Sequence, residues 1–172
     1  MTARAPDRYR VLHAGSGGDT LPPWLDGDQV RLDIDPATGP DVVASMTDMG
    51  DVGQFDVVYC SHALEHLRPH EVGTALAEFR RVLVPGGKAV VVVPDLEDVR
   101  PTDDVLYVCP AGPVCGLDLF YGMRPLLAAR PHMAHRTGFV RDTLAAALRA
   151  AGFSEVLTRR VPDFNLLAIA SK

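Results

Sequence analysis

No stretch of this chain approaches the ~18 consecutive apolar residues that a bilayer-spanning helix needs. The opening residues, Met1-Thr-Ala-Arg-Ala-Pro6, lack the apolar core of a signal peptide. The expectation is a cytoplasmic protein with no membrane partner. Lysine is nearly absent, with 15 of the 17 basic residues being Arg, and there is no basic run or stripe. The 22 acidic residues leave a net charge of -5, so nucleic acid held by backbone electrostatics is not an expected partner. Cysteine is scarce and odd in number. Cys60, Cys109 and Cys115 cannot all pair within the chain, and the Cys109–Cys115 spacing is not a common zinc spacing, so reduced thiols are expected. Internal repeats and low-complexity tracts are missing. What remains is ordinary globular material, 47% hydrophobic and 23% charged over 172 residues, enough for a single domain spanning 1–172 with a full core.

Strand-like and helix-like segments alternate. Arg10–Ala14, Val30–Ile34, Asp41–Ser45 and Phe55–Cys60 read as strands, the last rich in β-branched and aromatic residues. Between the first two, Asp19–Leu25 leaves room only for a short, Pro-interrupted helix. Val72, Ala75, Leu76, Phe79, Val82 and Leu83 recur at helical spacing and predict a helix over Val72–Val84, stopped by Pro85-Gly-Gly87. Lys88–Val93 is a continuous apolar run of the kind buried on both faces of a parallel sheet. From Pro94 to about Met133 no period is sustained, and the segment at about 94–136 reads as a substrate-binding insert with little regular structure. Arg141–Ala151 predicts a second helix. Glu155–Val161 and Phe164–Ala170 predict two strands joined so tightly that the last runs antiparallel to its neighbour. The sum is an α/β fold, one Rossmann-like, doubly wound, mostly parallel seven-stranded sheet with an antiparallel last strand.

Tyr9-Arg-Val-Leu-His-Ala-Gly-Ser-Gly-Gly18 is a strand ending in a Gly-rich turn, and Arg31-Leu-Asp-Ile-Asp-Pro36 is a strand ending in an acidic pair. Glycines let a backbone approach a ligand closely, and an acid one strand over can accept ribose hydroxyls, so the pair points to an adenosine-containing cofactor. The dinucleotide fingerprint would need a third glycine where Thr20 stands, which argues against a nicotinamide enzyme.

With these segments in order, the chain resembles the class I S-adenosylmethionine-dependent methyltransferases, and within them small bacterial methyltransferase-like proteins. The resemblance is carried by Val11-Leu-His-Ala-Gly-Ser-Gly-Gly18, Leu32-Asp-Ile-Asp-Pro36, Phe55-Asp-Val-Val-Tyr-Cys-Ser-His-Ala-Leu-Glu-His-Leu67, Phe79-Arg-Arg-Val-Leu-Val-Pro-Gly-Gly-Lys88 and Met133-Ala-His-Arg-Thr-Gly-Phe139. It implies an enzyme that transfers a methyl group from S-adenosylmethionine to an oxygen or nitrogen of a small molecule. The alternative is a protein that binds S-adenosylmethionine or S-adenosylhomocysteine without methyl transfer. By position, the resemblance implies that Gly15, Ser16 and Gly17 approach the methionine part of the cofactor and that Asp35 accepts the ribose hydroxyls. It puts Ser45 and Met46 at the adenine, and Cys60 and Ser61 beside the sulfonium. Asp33 is implied to be structural or solvated. His13 and Ser45 depart from the family pattern, which often has acidic or amide residues there.

His62 is the residue nearest the implied reaction site, and a neutral imidazole there can act as the base or position ligands. His62-Ala-Leu-Glu-His66 also fits the H-x-x-E-H zinc pattern. That site would need a helix with the two histidines one turn apart and a third ligand from elsewhere. The stretch follows a buried strand and runs into Arg68-Pro69, so no metal is expected, and Glu65 and His66 are read as a structural network. Tyr107, Tyr121, Arg124, His132, His135 and Arg136 are candidates for a substrate pocket, Arg for an anionic group and the rest for hydrogen bonds.

Overall fold

The computed structural model describes residues 8–172. Its strands are β1 (Tyr9–Ala14), β2 (Gly27–Asp33), β3 (Val42–Val43), β4 (Phe55–Ser61), β5 (Leu83–Pro94), β6 (Val105–Cys109), β7 (Gly112–Cys115), β8 (Ser154–Val161) and β9 (Asn165–Ser171). Its α-helices are α1 (Pro69–Val82), α2 (Gly116–Tyr121) and α3 (Arg141–Ala150). Seven strands form one sheet in the order β3-β2-β1-β4-β5-β9-β8. Neighbours from β3 to β5 are parallel, while β9 runs antiparallel to both β5 and β8. The expected Rossmann-like sheet with its antiparallel last strand is therefore the observed one. Strand order reverses between β1 and β4, where Val11 pairs with Val57 and His13 with Tyr59, and the crevice beyond their carboxyl ends is where such sheets bind ligands.

The helical period of α1 buries Val72, Ala75, Leu76, Phe79 and Val82. Pro69 opens the helix, and Glu71 Oε2 accepts the Arg68 N–H at 2.7 Å, which starts it three residues before the apolar period does. These side chains join Leu144 and Leu148 of α3 and Leu12, Val58, Val91 and Ala168 of the sheet in the main core, so both helices cover the same face. Full burial of a side chain such as Phe79 contributes about 1.5–3 kcal/mol. On the other face Val11, Tyr59 and Val90 are covered by Leu21 and Leu25 of the β1–β2 connection. That connection forms turns rather than the short helix expected, and Pro22-Pro23 removes the donors a helix would use. α1 ends at Val82, two residues before the expected stop, where Leu83 turns extended and opens β5; Pro85-Gly86-Gly87 lies at an irregularity within that strand, where Leu83 pairs with Phe55 and pairing resumes at Lys88 with Val57.

The insert is more regular than expected. It holds the β6–β7 hairpin, the short helix α2 and two 3-10 turns. Arg124, a candidate for an anionic substrate group, is instead committed to the fold. Its guanidinium donates to Asp118 Oδ1 at 3.1 Å and to Asp103 Oδ1 at 2.6 Å. Asp118 is 7% exposed. Burial alone raises its carboxyl, but hydrogen bonds from Cys115 and Arg124 outweigh that and hold it down at about 2, against an ordinary value of 3.8. A depressed carboxyl stabilises the fold above its unfolded pKa and loses that contribution as pH falls through the folded one. A tenfold difference in proton affinity between folded and unfolded chain corresponds to about 1.4 kcal/mol. The wild type is therefore expected to lose about 2 kcal/mol more than Asp118→Asn as the pH of urea unfolding falls from about 5 to about 2. Parallel losses in the two proteins would refute this.

Candidate functional site

The crevice is built from the turn after β1. The Gly15 and Ser16 N–H groups donate to Leu32 O at 2.8 and 3.1 Å, which draws the turn across β2. A Cβ on Gly15 would stand 2.4 Å from Ala63 Cβ, so the turn presses on the segment after β4, whereas Gly17 and Gly18 have nothing among the described residues within 4 Å on that side. Those two glycines present open backbone to a ligand. Ser16 is buried, its hydroxyl turned to Gly17 O, and offers only its backbone.

Asp33, the last residue of β2, aims its carboxylate at this turn. Oδ2 accepts the Gly17 N–H at 2.7 Å and Oδ1 accepts the Asp35 N–H at 2.9 Å. Asp35 lies past the strand and caps the 3-10 turn Pro36–Thr38, accepting the Ala37 N–H at 2.9 Å. Between them Ile34 is 68% exposed, an apolar surface at the mouth of the crevice. The Ser45 hydroxyl pairs with Thr47 Oγ1 at 2.8 Å, and Met46 lies beside Gly15. Ser61 is half-buried at the end of β4. Cys60 does not reach the crevice with its side chain. It is fully buried, its thiol 3.9 Å from Met46 Sδ, and burial pushes that thiol well above its ordinary value. His13 is also a core residue, bonded through Nδ1 to Gln29 at 2.9 Å and tilted against Tyr59. Burial lowers its pKa.

Sequence reasoning passed over Asp19. Its N–H donates to Ser16 O at 2.9 Å, which keeps it at the glycine turn. Its only signal was its place just after the glycines.

His62 follows β4 with a left-handed backbone, φ 49°, fixed by its N–H to Val92 O at 2.9 Å. Its Nδ1 stands 3.4 Å from Glu65 Oε1. Burial alone would lower His62, but the Glu65 carboxylate and the Asn165 side chain outweigh it and raise its pKa. Glu65 is 1% exposed. Burial favours its neutral form, yet the facing His62, with His66 and His135, brings its pKa below the ordinary range. The Arg136 and Thr137 N–H groups donate to Glu65 O at 2.8 and 3.1 Å, which clamps the end of the insert onto this turn.

The structure thus gathers His62, Glu65, His66 and His135, but scatters the other substrate candidates. Tyr107 stacks on Phe164, with centroids 6.1 Å apart. Phe164 lines a cavity of about 240 Å³ with Asp95, Arg160 and Asn165, and Asn165 is the residue whose side chain raises the His62 pKa. His135 lines a smaller cavity with Glu65 and Phe139. Tyr121, His132 and Arg136 line neither.

Residues 12–91 match the family model of a methyltransferase domain. A search of curated proteins finds no match. Among solved structures, one similar chain is the 1,6-didemethyltoxoflavin-N1-methyltransferase of Burkholderia thailandensis, with 1,6-didemethyltoxoflavin and S-adenosylhomocysteine bound; it is 20% identical with a TM-score of 0.60, over 96% of this chain and 71% of that one. A second is the S-adenosylmethionine-dependent methyltransferase of Mesorhizobium loti, 17% identical with a TM-score of 0.65, over 96% and 91%. A third is the CurJ carbon methyltransferase, 17% identical with a TM-score of 0.62, where the match takes in 98% of this chain but 50% of that one. At such identities these likenesses speak for the fold, and the family match adds the glycine turn, the strand-end acids and β4. The methyltransferase-domain match thus runs from β1 into β5, on a fold like that of these methyltransferase structures.

Proposed function

We propose that this protein transfers the methyl group of S-adenosylmethionine to an oxygen or nitrogen of a small-molecule acceptor. The observation that carries the reading is the convergence of the open Gly17-Gly18 backbone and the Asp33 carboxylate on one crevice at the sheet's switch point. The residues present fit the cofactor. Gly15, Ser16 and Gly17 offer backbone to the methionine part, Ile34 an apolar wall for the adenine, and Ser45, Met46 and Ser61 the remaining margins. Asp33 takes the ribose role in place of Asp35, because its carboxylate meets the glycine turn at the Gly17 N–H, and each of its oxygens keeps capacity for a hydroxyl beside the one hydrogen bond it accepts. When bound, S-adenosylmethionine supplies an electrophilic methyl carbon on a cationic sulfur, and the carboxylates of Asp19 and Asp33 give the crevice the sign of charge that suits it.

The protein's own task is to hold an acceptor atom about 3 Å from that carbon and to manage its proton. His62 stands next to the crevice with Nδ1 turned to Glu65, which leaves Nε2 to take the proton. The neighbouring cavity, lined by Phe164 with Tyr107 stacked on it, suits a flat acceptor. Acceptor chemistry is not inherited from similar proteins: one similar chain is an N-methyltransferase and another a carbon methyltransferase.

The test couples calorimetry with S-adenosylmethionine and S-adenosylhomocysteine to S-adenosylhomocysteine release across a panel of small alcohols, phenols and amines. Binding with turnover supports the reading. Binding without turnover would favour the non-enzymatic alternative, and no binding would sink both. His62→Asn keeps a residue that tolerates the left-handed backbone, so it is expected to lower kcat about a hundredfold with cofactor affinity unchanged. An unaffected kcat would remove His62 from the proton step.

A further inference from the structure

Glu65, His66 and His135 each offer one ligand atom within 4.8 Å of the other two. The carboxylate among them is 1% exposed, and neither of its oxygens makes a hydrogen bond among the described residues. Its one ion-pair contact among the described residues, His62 Nδ1 at 3.4 Å, lies beyond hydrogen-bond length for a charged pair. A buried carboxylate in this condition is costly unless a cation meets it.

Each imidazole has one nitrogen tied to the backbone and one left over. His135 Nδ1 lies 2.9 Å from Leu119 O and His66 Nδ1 lies 3.3 Å from Ala134 O. A carbonyl only accepts, so each Nδ1 carries the hydrogen and each Nε2 keeps a free lone pair. A far-side N–H bonded to a carbonyl is the support that fixes metal-bound histidines. The backbone holds the group in place without an ion, because Arg136, Thr137 and the Thr137 hydroxyl, at 2.6 Å from Leu67 O, tie the insert's end to the 3-10 turn Leu64–His66.

We propose that Glu65, His66 and His135 bind one divalent first-row transition ion, leaving at least one position for water or a ligand oxygen. Two imidazoles and one carboxylate favour zinc, manganese, iron or cobalt over calcium or magnesium. The H-x-x-E-H pattern looked unsuited to metal because it needed His62 and His66 one turn apart on a helix. The fold uses adjacent Glu65 and His66 on a 3-10 turn instead, with the third ligand from the far end of the insert. An ion here stands beside His62 and so adjoins the acceptor region. That consequence rests on the methyl-transfer reading; the binding does not.

The full chain, freed of metal with chelator, is titrated with Co²⁺ alone, read by visible absorption, and the ion is then competed off with Zn²⁺. One Co²⁺ per chain is expected, displaced by Zn²⁺ and not by Mg²⁺. Affinity is expected to fall at least about fiftyfold in His66→Ala, His135→Ala and Glu65→Gln, and to stay unchanged in His70→Ala. His66 and His135 are partly exposed, so their variants keep the test open if Glu65→Gln misfolds; circular dichroism monitors this. No uptake of stoichiometric Co²⁺ by the wild type, or equal affinity in both histidine variants, overturns the proposal. Neither cofactor nor acceptor is present in the titration, so its failure leaves the methyl-transfer reading standing, and failure of cofactor binding leaves the ion site standing.

Discussion

Asp33→Ala is expected to weaken S-adenosylmethionine binding about a thousandfold, whereas Asp35→Ala weakens it less than about fivefold. Charge-assisted hydrogen bonds contribute about 1.5–3 kcal/mol each. Two of them from Asp33 to a ribose diol amount to about 4 kcal/mol, or about three powers of ten in affinity. The same carboxylate fixes the Gly17 and Asp35 N–H groups, so its loss also loosens the turn that presents the open glycine backbone. Asp35 stands two residues beyond the strand, and its carboxylate caps the Pro36–Thr38 turn at the Ala37 N–H instead of meeting the glycine turn. The N–H groups that Asp33 releases lie at the crevice, where water can replace it, so unfolding stability is expected to change little. Calorimetry of both variants decides the matter. Equal losses, or a larger loss in Asp35→Ala, would return the ribose to Asp35.

The choice between these two acids shows where the sequence stops being legible. Alternation places Asp33 and Asp35 on one face, and an apolar Ile34 invites the strand to run on through it. In the structure β2 ends at Asp33 and Ile34 is exposed, so the strand's end, which hydrogen bonding to β1 and β3 decides, is what favours Asp33 in the proposed ribose role. Cys60 shows the same limit from the other side. It stands near the end of β4, but the pleat turns its side chain into the core. The sheet strands and α1 and α3 were legible because burial imposes a period on each. The β6–β7 hairpin and α2 were not, since a two-stranded ribbon and a six-residue helix carry too few periods, and Arg124 with Asp103 and Asp118 holds them by contacts between distant residues. The cluster of Glu65, His66 and His135 had the same obstacle. Two of its members are sequence neighbours, but nothing in the chain marks His135 as the third until the Arg136 and Thr137 backbone closes on Glu65.

Gly15→Ala is expected to be the most destabilising single change in the glycine turn, at about 4 kcal/mol, lowering Tm by about 10 °C. Two costs add at this position. The backbone is left-handed, φ 67°, which costs a residue with a Cβ about 1–2 kcal/mol. The new methyl group would also stand 2.4 Å from Ala63 Cβ, a buried atom fixed to the backbone that cannot swing aside, so overpacking contributes about 1–3 kcal/mol more. Gly17→Ala shares the first cost, φ 51°, but meets nothing within 4 Å, and is expected to cost about 1 kcal/mol. Gly18→Ala meets nothing and carries no left-handed backbone, so it should fall within about 0.5 kcal/mol of wild type. Calorimetric unfolding of the three variants checks the order Gly15, Gly17, Gly18, and a Gly15→Ala protein as stable as Gly18→Ala would mean that the turn does not press on the segment after β4. The contact matters beyond stability. Ala63 is bonded to His62 on one side and leads into Glu65 on the other, so a Cβ at residue 15 pushes the glycine turn and the His62 region apart together. Gly15→Ala should therefore weaken cofactor binding and slow turnover at saturating cofactor, while Gly17→Ala, with open space beside it, affects the binding alone.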